Sequence, residues 1–474
     1  MSTDAIPAPR VKGDAAHDAA ACARQHAASP RRALWASLLG MFVVTLDALI
    51  VNVALPTIGH DLGGGSSGQQ WVLDGYTLMF AALLLSTGSL SDRIGARRAF
   101  TIGLVGFIAA SALCGLAPSL PVLVAARFVQ GAGAAVMLPA TLALIREAFP
   151  DAAARSRAIA LWAVGGAVAS ASGPVLGGAL CLASWRLIFF VNLPVGLLTL
   201  FLLSGVARSP RRPRPFDWTG QVTAVAAMAG LTYGVIEGGA TGFTRPIVLV
   251  ALVLAAVSLA LFITAQARGA HPMVPLTLFR NRAVLVSLAG GFAFCVAFYG
   301  LTYLMSLYYQ QVRGLSSFGA GLAFLPMTGL VAGVNLLAPK AAARFGLRAA
   351  IVGGLACMAV GLIALAAVPT STPVAVMAVL MIPVGAGGAM AVPSLTALLL
   401  QSVPAAQTGV AGGVLNTFRQ VGGALAVAVY GIVIAGDAGF LHGMRVCLLI
   451  SAIVLAVTCA GALIRRPGPA AATA

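Results

Sequence analysis

The chain has 474 residues, 60% of them hydrophobic and 9% charged, where soluble domains carry roughly 25% charged residues. That balance excludes a soluble globular enzyme. The formal charge of +17 would suit a nucleic-acid binder, but the placement of that charge argues otherwise.

Residues 1–33 are polar, rich in Ala, Pro and charge, and read as a disordered cytoplasmic arm without a removable signal peptide. Long apolar runs then recur, each able to cross a hydrocarbon core of ~30 Å as a helix. Fourteen spans are expected, near 34–56, 71–90, 99–117, 122–146, 157–182, 185–207, 219–237, 246–266, 283–308, 318–338, 349–368, 373–400, 409–436 and 443–464. Gly and Pro interrupt the pattern in the seventh and in the eleventh and twelfth. Lipid offers backbone groups no partner, so the class is an all-α polytopic membrane protein. With a cytoplasmic N-terminus, 23 of the 29 Lys and Arg fall on the cytoplasmic side. Arg186, Arg245, Arg313 and Arg445 face the other side, and Arg127 and Arg419 lie within spans. This positive-inside bias predicts both termini in the cytoplasm, with partners that are lipid and not nucleic acid.

The first span contains VTLDALIVNVALP, with Asp47 nine residues before Pro56, ~14 Å below the outer face. Arg127 in the fourth span lies ~9 Å from the same face. Ionisable residues at such depth face a polar interior or one another, so the two are expected to share a cavity, directly or through water. An acid held between the cost of burial and the pull of a guanidinium could carry a proton; the pair could equally be a static tie between helices.

The second span opens on WVLDGY, where Asp74, like Glu237 at the end of the seventh span, is expected at the membrane interface. The loop that follows, GSLSDRIGARR, holds Gly88, Asp92, Arg93, Gly95, Arg97 and Arg98. It is either a solvated basic turn or a gate, in which Asp92 gains from a helix N-terminus and, with Arg93, ties helices together. The fifth span contains GGAVASASGPVLGG. Gly165, Ala169, Gly173 and Gly177 form a small-residue stripe suited to close helix approach, and Pro174 favours a kink.

Tyr76, Tyr299, Tyr303, Asn416 and Arg419 are candidates to line a substrate cavity, although span-end tyrosines also serve as interfacial anchors. Arg419 lies ~15 Å deep in the thirteenth span, where an anionic substrate group or a backbone carbonyl could meet it. The cysteines show no CxxC spacing and read as apolar filler, not as a metal or redox site. All five histidines lie outside the spans. There is no GxxxxGK[ST] phosphate loop, so neither a cofactor, a metal nor enzymatic activity is expected.

The loop AARFGLR (342–348) repeats SDRIGAR (91–97), with Ala343 in place of Asp92. That repeat divides the chain into a six-helix half (34–207), a two-helix insert (208–282), a second six-helix half (283–464) and a tail (465–474). With the elements LDALIVNVALP, GSLSDRIGARR, RFVQGAGAA, SGPVLGG, SWRLIFFVNLPVG and LNTFRQVGGALAVAV, the chain resembles the major facilitator superfamily. More narrowly it resembles the fourteen-span drug:proton antiporters of the methylenomycin-resistance type. The resemblance covers about 34–464. It implies alternating access, Asp47 and Arg127 in proton coupling, the first basic loop as conformational gate, and the Gly-Pro stripe as the mark of an antiporter. It further implies a monomer in a bacterial inner membrane that exchanges protons for small hydrophobic drugs. An uptake symporter of the same superfamily is the alternative, and would share the loop but not the stripe.

Overall fold

The computed structural model describes residues 30–463 except 212–216, 270–271, 370, 405–406 and 437–438. Most of the predicted arm, with Cys22, His17 and His26, and also His271 and the tail, lie outside the described residues.

The described residues are helical, with no strand among them. In chain order the elements are α1 (Pro30–Leu62), α2 (Gly65–Ile94), α3 (Ala96–Leu116), α4 (Leu120–Ala148) and α5 (Ala152–Cys181). A short α6 (Leu187–Phe190) leads into α7 (Asn192–Ser204), and α8 (Trp218–Thr241) and α9 (Pro246–Arg268) form a pair. Next come α10 (Arg282–Leu307), α11 (Ser317–Ala323), α12 (Leu325–Gly329), α13 (Val331–Phe345) and α14 (Leu347–Ala367). The chain closes with α15 (Val374–Leu380), α16 (Ile382–Gln401), α17 (Thr408–Ala435) and α18 (Phe440–Leu463). Among the described residues, thirteen helical stretches are long and apolar enough to span a bilayer, or fourteen if a pair bent by 42° within Ser317–Asn335 counts as one.

Of the three spans in which an interruption is expected, the twelfth breaks, at Met381, and the eleventh, α14, is continuous. The seventh span is one unbroken 24-residue helix. Its glycines serve packing instead, since a Cβ on Gly230 would lie 2.7 Å from the Ala251 carbonyl of α9. The interruptions lie at Val191, Phe324, Leu330 and Met381; all but Leu330 stand two or three residues before a proline (Pro194, Pro326, Pro383) that removes a ladder hydrogen bond. Pro56, Pro139, Pro174, Pro339 and Pro393 are absorbed within continuous helices.

Core packing separates the two ends of the molecule. At the end remote from the 91–98 and 344–348 loops, one continuous apolar cluster joins both halves. It runs from Leu46, Leu49 and Ile50 through Tyr303, Leu304 and Leu307 to Ala320, Phe324 and Met327. At the basic end the apolar contacts divide: Val43, Phe100, Met137 and Leu203 form one cluster, and Leu288, Leu399 and Val414 another. The consecutive residues Ile159, Ala160 and Leu161 on α5 are exposed there, covering ~200° of the helix. Ala343, Arg344 and Phe345 on α13 are exposed in the same way. The halves are therefore closed against each other at one end and parted at the basic end between α5 and α13, while α2 stays against α17, where Thr417 Oγ1 donates 3.4 Å to the Ala81 carbonyl. The α8–α9 pair packs beside α2 and α17, where Gln221 donates 3.0 Å to the Ala82 carbonyl and meets Ser86 Oγ.

Candidate functional site

Span α1 carries Asp47 into the interior with no measurable exposure, and α4 brings Arg127 against it at 1% exposure. Arg127 Nη1 donates to Asp47 Oδ2 at 2.5 Å. Two amides that the sequence reading passed over complete the shell. Gln130 Nε2 and Asn192 Nδ2 each donate 2.8 Å to Asp47 Oδ1. Arg127 also donates 2.8 Å to Gln130 Oε1 and, through Nε, 3.0 Å to the Val72 carbonyl of α2. Asn192 is held in turn by Ser111 Oγ at 3.0 Å, which donates 2.8 Å to the Phe189 carbonyl. The charged pair is thus tied to α1, α2, α3, α4 and the α6–α7 break. Only the spacing Arg127–Gln130, one helical turn, could have flagged Gln130. Asn192 lies in the quoted element SWRLIFFVNLPVG, but nothing there says which helix its side chain meets, which is decided by the break before Pro194.

The five candidate cavity residues separate into three places. Tyr76 lies beneath Arg127, its ring centroid 4.4 Å from the guanidinium carbon, and its hydroxyl donates 3.2 Å to the Val44 carbonyl. It therefore belongs to the charged centre. Arg419 and Asn416 pair at 3.3 Å on α17, and the guanidinium stands 5.5 Å from the Phe294 ring of α10. Tyr299, half-buried one turn further along α10, lies close enough to interact electrostatically with both Arg419 and Tyr76. Tyr303 is fully buried away from these, facing Ser66, Gln70 and Asp74 of α2. An apolar cavity of about 440 Å³ lies elsewhere, between α2, α8, α9 and α17, walled by residues such as Met228, Phe262 and Phe418. None of the five lines it.

Asp74 is buried inside the protein. Helix α2 begins at Gly65 and not near residue 71, so Asp74 sits ~14 Å into it and is 1% exposed. Glu237, half-buried, accepts from Trp71 Nε1 at 2.9 Å and Ser67 Oγ at 3.1 Å, linking α8 to the start of α2.

In the basic loop, Gly95 has a left-handed φ of 90°, and a Cβ there would lie 2.9 Å from the Ser209 carbonyl. Arg97 receives support from the same segment: its backbone amide donates 3.0 Å to Ser209 Oγ and its guanidinium 3.1 Å to the Ser204 carbonyl. Ser209 donates 2.5 Å to Glu147 at the end of α4. These contacts lie within the first half of the chain. Asp92 is half-buried, Arg93 and Arg98 are exposed, and a Cβ on Gly88 would meet open space.

On α5 the small-residue face packs along α1. A Cβ on Gly165 would lie 2.8 Å from the Leu38 carbonyl, on Gly173 3.2 Å from Leu49 Cβ, and on Gly177 2.8 Å from the Ile50 carbonyl. The next glycine, Gly178, presses on the Ser317 carbonyl, and Gly321 of α11 presses on the Pro174 carbonyl. The same helix thus binds its own half along one face and the other half at the closed end.

This arrangement is matched by sequence. The Major Facilitator Superfamily pattern fits residues 37–427. The chain belongs to the Major Facilitator Superfamily. It is 39% identical over 405 residues to the multidrug resistance protein Stp of Mycobacterium tuberculosis, covering 85% of this chain and 75% of that one. It is 34% identical to the methylenomycin A resistance protein of Streptomyces coelicolor, covering 90% and 91%. Among solved structures, a POT family transporter in complex with a thioalcohol-conjugated peptide superposes with a TM-score of 0.69 at 14% identity, over 90% of this chain and 94% of that one. That likeness shows the superfamily fold. The chain is accordingly a multi-pass bacterial membrane transporter.

Proposed function

We propose that the protein exports small hydrophobic drugs or antibiotics across the bacterial inner membrane in exchange for protons, as a monomer with both termini in the cytoplasm. The reading of export rests on near-full-length likeness to resistance proteins. The basic, parted end then faces the cytoplasm, and the arrangement described is the one that loads substrate. Asp47 and Arg127 form the coupling centre, with Tyr299, Asn416 and Arg419 on the facing half. The first basic loop, Gly88 to Arg98, is the gate that must meet the other half when the cytoplasmic side closes. The Gly165–Gly177 face of α5, with Pro174, is the pivot on which the halves exchange contacts.

No nucleotide is needed. One proton moving through ~100 mV supplies ~2.3 kcal/mol, and at 1.36 kcal/mol per tenfold it sustains roughly a fifty-fold gradient of a neutral substrate. Everted vesicles energised by respiration test this directly. They are expected to accumulate a hydrophobic dye when they carry the protein, and to lose it on addition of a protonophore. Accumulation that ignores the protonophore would overturn proton coupling, and Asp47→Asn is expected to abolish the energised component.

A further inference from the structure

Asp47 needs no proton in this arrangement: a guanidinium and two amides satisfy both its oxygens. Asp74 is in the opposite condition. It is 1% exposed, and neither carboxyl oxygen has a hydrogen-bond partner. The charged and titratable groups on the helices around it are committed elsewhere. Arg127 of α4 holds Asp47 of α1, Glu237 of α8 accepts from Trp71 and Ser67, and Arg419 of α17 turns to Asn416 and Phe294. Arg97 of α3 lies at the basic end, bonded to Ser204. The groups that do stand near are neutral ones, Tyr303 of α10 with Ser66 and Gln70, and Cys447 of α18 beside Tyr303.

An ionised carboxylate moved into such surroundings without a partner is far costlier than the neutral acid. We infer that Asp74 is a second proton-binding site, loaded in this arrangement, and that the end of the molecule remote from the basic loops closes only over its protonated form. The position supports this. Tyr303 belongs to the second half, and the same closed end carries the bonds from Ser306 Oγ to the Asn52 carbonyl (2.7 Å) and from Gln310 to the Val53 carbonyl (3.0 Å). Opening that end would separate α2 from α10 and bring water to Asp74. A proton would be taken from that water before closure and returned to water on opening. Asp74 is thus a gatekeeping acid that makes the outward-to-inward change depend on pH, distinct from the Asp47–Arg127 centre proposed to couple the exchange.

This inference rests on the proposed alternating-access exchange, and its test separates the two. Spin labels at Leu182→Cys and Val312→Cys, exposed on either side of the closed end, report the separation of the halves in a background without native cysteines. The reference protein is expected to shift from short to long distances as pH rises. Asp74→Asn, which mimics the neutral acid, is expected to hold the short distance at every pH and to lose energised efflux while still binding dye. Asp74→Glu is expected to restore the pH response, which a packing role would not predict. If Asp74→Asn opens with pH as the reference does, the inference is wrong and the exchange reading stands. If the reference protein shows neither a pH response nor proton-driven efflux, the exchange reading itself fails.

Discussion

At the scale of single residues, the charged centre divides into parts that stand out in sequence and parts that do not. Asp47 and Arg127 are conspicuous because a charge in an apolar run is rare and costly. Gln130 and Asn192 are neutral amides inside motifs dominated by glycine and proline, and no single-span pattern says which helices will meet. Yet Asp47 depends on them. Removing Gln130 leaves Asp47 Oδ1 with one donor and frees a lobe of Arg127, and an unsatisfied buried polar group costs about 1–3 kcal/mol. Gln130→Ala is therefore expected to lower the thermal unfolding midpoint in detergent, and Asn192→Leu to do the same. Arg127→Ala is expected to be more severe, about 3–5 kcal/mol, because it strands a buried charge. The double variant Asp47→Asn with Arg127→Gln is expected to recover most of that stability but not energised efflux. A thermal-shift series across the four variants checks both statements: equal losses for Gln130→Ala and Arg127→Ala would mean that the ion pair is not the core of the site.

At the scale of helices, the glycines distinguish contacts that hold one half together from contacts made in only one arrangement. Gly165 and Gly177 press α5 on α1, inside the first half. Gly178 and Gly321 press α5 and α11 together across the seam. A Val at Gly321 is expected to wedge the closed end apart without unfolding either half, since the helices concerned belong to different halves. The measurement is maleimide labelling of a cysteine at Ser306, which Ser306 Oγ bonding to Asn52 now shields at no exposure; labelling should rise several-fold. Gly88 gives the complementary case. A Cβ there meets nothing in this arrangement, so Gly88→Leu should leave folding and dye binding unchanged. If the gate closes against that surface, the variant should slow transport; unchanged transport would place the closing surface elsewhere. The stripe on α5 was legible because its period of four matches a helix face. The break positions were less so, because many spans contain a proline, only packing decides which three mark a break, and the break at Leu330 has no proline beside it.

At the scale of the whole molecule, span number and class follow from hydropathy alone, since lipid permits a chain of this composition few other structures. Which end is closed does not follow. The two arrangements of a facilitator use the same helices, and their balance is a small difference between two sets of seam contacts, invisible in composition. The distribution of arginine nonetheless turns the observed arrangement into a statement about sidedness. If the basic loops face the cytoplasm, the parted end does too, and the exposed inner stretch of α5 is wetted from that side only. A cysteine at Ala160, exposed in the arrangement described, should react with a membrane-impermeant maleimide in everted vesicles and resist it in intact cells. Asp74→Asn should leave that reactivity high, because it favours the cytoplasm-open arrangement, whereas Gly321→Val should lower it by favouring the opposite one. Reaction from the outside of intact cells would reverse the assigned orientation, and reaction unaffected by Gly321→Val would mean that the two ends of the seam do not open in alternation.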